Sequence, residues 1–199
     1  MHLHLPNAYC RNVILVEGLM INHLRTLLIG ICGLILSTAA IAASKAEIDA
    51  NVEQAQTKFY AESPAGQKLA QQAAGILIFP KVIKAGIGIG GEYGEGALIV
   101  GGKTTAYYNT VSASVGFQFG AQVKSQVIMF MTDDALNSFL NSDGWEAGVD
   151  GSVAIVEFGA AEEISSNSVQ APIIGFIFSN KGLMYNLTLE GSKMTKIER

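Results

Sequence analysis

The chain has 199 residues, 49% of them hydrophobic and 15% charged, enough apolar material for one well-buried domain. Its 17 acidic residues outnumber its 13 basic ones, for a net charge of −4, and without a basic stripe this balance excludes a nucleic-acid-binding surface. All three histidines (His2, His4, His23) and both cysteines (Cys10, Cys32) lie near the start, so the chemistry open to the rest depends on what happens to that segment.

Residues 20–43 read as a secretory signal. Met20 to Arg25 is short and polar with one firm positive charge, Thr26 to Leu36 is apolar, and Ser37 to Ala43 is made of small residues. Ala40-Ile41-Ala42 has the A-x-A form, which places cleavage near Ala42 or Ala43. The apolar stretch is too short for a permanent span, and Cys32 follows Ile31 where a lipoprotein signal needs a small residue. Met20 is a sound initiator, so residues 1–19 read as an upstream extension. The expected division is therefore 1–42 as a cleaved extension and leader, and 43–199 as a single domain in a periplasmic or secreted protein. Without 1–42 the chain has neither His nor Cys, which excludes Ser-His-Asp and Cys-His catalysis, His/Cys zinc sites and disulfides. Losing Arg11, Arg25 and Glu17 leaves 11 basic and 16 acidic residues, a net charge of −5.

Ser44-Lys45-Ala46-Glu47 is a capping box, and Ile48, Val52, Ala55 and Phe59 then fall on one helical stripe. Ser63-Pro64 starts a second helix through Leu69 and Ala73, which Gly75 ends. Ile76 to Phe79 and Ala97 to Val100 read as short strands, stopped by Pro80 and by Gly101-Gly102. Between them Gly86, Gly88 and Gly90 occupy alternate positions, so an extended chain has one bare face that something must lie against. Gly86 to Gly91 also spells G-x-G-x-x-G, but Glu92-Tyr93-Gly94-Glu95-Gly96 cannot open the helix that a dinucleotide site needs, and packing is the favoured reading of these glycines.

Thr104 to Asn109, the cleanly alternating Val111 to Val123, and Val127 to Met131 are three further strands. Thr132 caps a helix from Asp133 to Leu140, which Asn141 to Gly144 ends. Trp145 reads as core, Ser152 to Phe158 as a strand, and Gly159 to Gln170 as a polar loop. Pro172 to Ser179 and Leu183 to Glu190 form a hairpin closed by Asn180-Lys181-Gly182. The sum is an α+β fold: two N-terminal helices, then a largely antiparallel, glycine-rich sheet, sandwich or barrel of about seven or eight strands with one inserted helix.

The segments ILIFPKVIKAGIGIGGEYGEGALIV, GWEAGVDGSVAIV and FSNKGLMYNLTLEGSKMTKI resemble the SYLF domain, the lipid-binding module also described as the actin-binding domain of eukaryotic actin-patch proteins. The resemblance runs from about Glu47 to Ile197, and Lys84 and Lys181-Gly182 match the family pattern. It implies phospholipid binding, with phosphoinositides bound by eukaryotic members, actin association in some of them, and an exported bacterial branch with no assigned reaction.

Five lysines are the candidate head-group ligands. Lys81, Lys84, Lys103 and Lys124 lie in or beside the glycine-rich strands, and Lys181 in the predicted hairpin; on one rim they would form a patch for anionic lipid, each adding about 1 kcal/mol. Gly86, Gly88, Gly90 and Gly91 are expected to be structural. Glu92 with Glu95, and Asp143, Glu146 and Asp150 around Trp145, are the acids available for a hard cation or an acid/base pair, but turn capping and solvation explain them better. Asn186-Leu187-Thr188 is a glycosylation sequon inside a predicted strand and is discounted. The leading expectation is a non-enzymatic envelope module without cofactor or metal, bound to anionic phospholipid or a membrane surface. The alternative is a protein-interaction or structural module, and a transmembrane barrel and a carboxylate hydrolase rank behind it.

Overall fold

The computed structural model describes the backbone of residues 43–157, 170–182, 189 and 191–199. The leader, the loop from Gly159, the arm from Leu183 to Thr188 and the sequon at Asn186 lie outside the described residues. Ala43–Arg199 forms one compact unit.

Helix α1 (Lys45–Glu62) starts where the capping box puts it, with Ser44 Oγ accepting from the Glu47 N–H at 3.2 Å. Its buried residues are Ile48, Val52, Ala55 and Phe59, the stripe read from the sequence. Helix α2 (Pro64–Ala70) is capped by Ser63, whose Oγ accepts from the Gly66 N–H at 2.9 Å. It ends three residues short of Ala73, because Ala74 already donates to the Phe130 carbonyl and belongs to the sheet.

The five strands expected between Ile76 and Met131 are two. Strand β1 (Gly75–Val100) and strand β2 (Lys103–Phe130) form one long antiparallel hairpin turned at Gly101-Gly102, whose φ values of 57° and 75° suit a two-residue turn that needs glycine. Pro80 does not stop β1. It sits in a bulge between Phe79 and Val82, where its missing N–H costs no ladder bond, and Ser125 Oγ donates to its carbonyl at 2.8 Å. Two further register shifts, at Ile87/Ile89 and Leu98/Ile99, bend the hairpin without breaking it.

Strand β2 is the spine. One edge carries β1, and the other carries β6 (Lys193–Ile197) along Tyr107 to Val111 and β5 (Ile173–Gly182) along Gln122 to Phe130. The two-residue β3 (Trp145–Glu146) pairs with β6, and β4 (Ala154–Glu157) runs parallel to β5, so the sheet is mixed. Helix α3 (Asp133–Leu140) is capped by Thr132 as expected. One expectation fails here. Strand β5 continues through Asn180-Lys181-Gly182, with Lys181 opposite Val123 and Gly182 opposite Gln122, so no turn forms at those three residues. The C-terminal stretch forms β6.

The chain itself fills the bare glycine face. A Cβ on Gly86 would stand 2.3 Å from the Gly90 Cα, and one on Gly96 would stand 2.1 Å from the Ile78 carbonyl oxygen. A Cβ on Gly94 would meet the Lys81 carbonyl and Val82, each at 2.8 Å. The two halves of β1 therefore pack against each other with nothing but backbone between them, which curls the sheet. Gly88 falls in the irregular step between Ile87 and Ile89, while Gly91 has only Ser112 O at 3.7 Å and makes no such contact. No helix opens at Gly91, so the dinucleotide pattern lacks its anion-binding end.

Both faces of the sheet carry core. On one, α1 and α2 cover Ile76, Ile78, Ala97, Tyr107, Val127 and Met129, with the Phe59 ring 5.0 Å from Phe176 and 5.5 Å from Phe178. On the other, Phe139 of α3 packs among Phe130, Tyr108 and Trp145, and Trp145 is buried as expected.

Candidate functional site

The middle of the β1–β2 hairpin has an inverted polarity. On the face shared with α3, Lys84, Glu92 and Lys124 are all buried, and the Glu92 carboxylate lies between the two ammonium groups, 3.2 Å from Lys84 Nζ and 2.8 Å from Lys124 Nζ. Gln122, Gln126 and Thr110 are buried beside them on the same face of β2. Glu92 is thus neither a turn cap nor a solvated charge, because the glycine-rich stretch around it is strand and its alternation points the side chain inward. The glutamate serves two buried lysines, each of which would otherwise carry a desolvation cost of several kcal/mol.

The five candidate lysines do not share a rim. Lys84 and Lys124 are buried on Glu92; Lys81 is exposed on the helix-side face; Lys103 is exposed beside the Gly101-Gly102 turn at the hairpin tip. Lys181 lies opposite Val123 by backbone pairing, and its side chain falls outside the described set. Spacing decides this, since Lys81 and Lys84 are three residues apart on a strand and point to opposite faces. Glu92 and Glu95 are divided in the same way. Glu95 accepts from the Tyr93 hydroxyl at 2.6 Å and from Arg199, so the two carboxylates cannot act as a pair. Burial and the Glu95 carboxylate raise the Tyr93 phenol above its ordinary range. Around Trp145, Asp150 Oδ2 accepts from the Glu146 N–H at 2.7 Å, a turn cap as expected. Among the described residues no three His, Cys, Asp or Glu side chains converge on a metal position.

On the helix-side face the same strands expose hydrocarbon. The cross-strand pairs Ile83–Val123, Ala85–Ala121, Gly91–Ala113 and Tyr93–Val111, with Ile89 among them, form a small and apolar band that α1 and α2 leave uncovered. Ile89 is 71% exposed, Tyr93 49% and Val111 45%, and exposed apolar side chains grouped on one strand face are a recurrent mark of a contact surface. The alternation was visible in Val111 to Val123; which face would be covered was not.

Where α1 meets the start of this band there is an open groove of about 550 Å³. One wall is α1, presenting Glu47, Asn51, Gln54 and Lys58; the other is Pro80, Lys81 and Val123; Ala55, Ser125 and Phe178 are its buried floor. Near the start of the same helix, between Glu47 and Asn51 in sequence, Asp49 accepts from the Tyr107 hydroxyl, 2.9 Å from each carboxylate oxygen. Burial and that carboxylate push the Tyr107 phenol up to about 12.

Residues 111–198 match the family model described as Ysc84, Las17-binding protein actin regulator. Over this segment, which is less than half of the chain, the protein is similar to the SYLF family. The SYLF match takes in β2 from Val111 onward, α3 and β3 to β6, and therefore Lys124 and Lys181; Lys81, Lys84 and Glu92 precede it. No curated protein matches the chain. Among the described residues no helix is long and apolar enough to cross a membrane.

Proposed function

We propose that the chain is a non-enzymatic module of the cell envelope that binds anionic phospholipid and rests on the membrane surface. The family match over residues 111–198 is consistent with a lipid- or actin-binding role, and the leader-like residues 20–43 support export. The observation that carries the reading is the uncovered apolar band, with Ile83, Ile89, Tyr93, Val111 and Val123 exposed on one strand face. A net charge of −4, or −5 without residues 1–42, repels an anionic bilayer as a whole, so attraction must come from apolar insertion and from local lysines.

Co-sedimentation of the purified protein with phosphatidylcholine vesicles, with and without phosphatidylglycerol, is the direct test. Binding that rises with phosphatidylglycerol and falls with salt is the expected result, and no binding to anionic vesicles at low salt overturns the reading. A protein partner on the same band is the second reading, favoured by the family description as Las17-binding. Retention of an envelope protein on the immobilised chain, with vesicle binding absent, decides for it.

A further inference from the structure

The groove beside α1 has core residues for its floor, and the polar part of its lining is chemically ordered. Glu47, Asn51, Gln54 and Lys58 fall at i, i+4, i+7 and i+11, one face of the helix, so the wall runs about 16 Å from a carboxylate to an ammonium at 1.5 Å per residue. Lys81 stands on the opposite wall, which makes the lining bipolar: two cations, two amides and one carboxylate over a floor that includes the Phe178 ring. Lys58 pairs with Glu62 at 3.6 Å, but both side chains are well exposed, and such i,i+4 pairs are weak enough to yield to a bound anion. Val123 belongs both to this lining and to the apolar band, where it pairs with Ile83, so the groove opens directly onto the band.

We propose that the groove seats a phospholipid head group that carries a single phosphate and a hydrogen-bond-donating end, of the phosphoglycerol type. The phosphate takes Lys58 and Lys81, and the donors lie along Asn51 and Gln54 toward Glu47, which accepts from them. The acyl chains leave past Val123 over the apolar band. Glu47 also selects against a second phosphate, which would set like charges together at that end. This assignment rests on the membrane reading and adds to it a head-group preference opposite to that of a polyphosphoinositide binder.

The test is vesicle binding by three proteins: the unmodified chain, the double variant Lys58→Glu with Lys81→Glu, and Glu47→Gln. The vesicles are phosphatidylcholine alone, with phosphatidylglycerol, or with a phosphatidylinositol bisphosphate. The double variant should lose the phosphatidylglycerol-dependent part of binding by about thirtyfold or more, while its weaker binding to plain phosphatidylcholine and its thermal midpoint stay put. Glu47→Gln should relax the selection, raising bisphosphate binding relative to phosphatidylglycerol. If the double variant binds phosphatidylglycerol vesicles like the unmodified chain, the groove assignment is overturned and the membrane reading stands. If the unmodified chain binds no vesicle at all, both fall.

Discussion

The two faces of the central hairpin obey opposite rules. On one, two lysines and a glutamate are buried where hydrocarbon is the usual filling; on the other, isoleucine, valine and tyrosine face out where charge is usual. Both faces come from the same residues of β1 and β2, read alternately. The difference separates two kinds of demand. The buried face answers to the fold, because Glu92 ties the first half of β1 at Lys84 and the far part of β2 at Lys124 to the second half of β1. On the exposed face none of the described elements covers Ile83, Ile89, Tyr93, Val111 and Val123, the side chains that the proposed membrane contact would use.

That contrast can be broken most forcefully at Glu92. Replacing Glu92 by leucine leaves Lys84 and Lys124 buried without the carboxylate that serves both, and should lower the unfolding free energy by about 3–5 kcal/mol in chemical denaturation. Converting all three to Met, Leu and Met should recover most of that loss, as apolar replacements of buried ion clusters do. A Glu92→Leu protein within about 1 kcal/mol of the original, by the same measurement, would show that the cluster is solvated.

The glycine row gives the next effect. Gly96→Ala puts a methyl group onto the Ile78 carbonyl and should cost about 1–3 kcal/mol or more, whereas Gly91→Ala, with one contact at 3.7 Å, should stay within about 0.5 kcal/mol. Equal thermal shifts for the two would mean that β1 does not fold back on itself.

On the exposed face the signs reverse. Ile89→Ser should leave stability within about 0.5 kcal/mol, yet weaken vesicle binding by about tenfold, the loss of one inserted apolar side chain. Lost stability with unchanged binding would assign Ile89 to the core.

The smallest effect concerns Tyr107. Its phenol is raised from 10 to about 12 by burial and by Asp49, so its contribution to stability is complete below pH 10 and is lost as pH rises toward 12. In a spectrophotometric titration Asp49→Asn should bring the tyrosinate transition down toward 10, and an unmoved transition would show burial acting alone.

Local chemistry in the sequence was enough for the helices. Ser44, Ser63 and Thr132 cap where their hydroxyls can reach an amide three residues on, and the Ile48–Val52–Ala55–Phe59 stripe needs only the 3.6-residue period. It was enough for Trp145 in the core and for the demand that something touch the glycine face. Strand ends were less legible, because Pro80 and the glycines are breakers only when the ladder has no bulge to absorb them, and β1 has one between Phe79 and Val82. Asn180-Lys181-Gly182, expected as a turn, is strand for a similar reason: pairing with β2 outweighs a favourable turn sequence.

Alternation divides a strand's residues into two sets without saying which set is covered. That depends on where α1, α2 and α3 dock and on how far β1 curls, contacts between residues tens of positions apart that leave no local mark. Composition and spacing therefore determined the helices, the turn at Gly101-Gly102 and the α+β class, while tertiary packing alone decided that Lys84 and Lys124 go inside, that Lys81 stays out, and that the hydrocarbon of the hairpin faces the solvent.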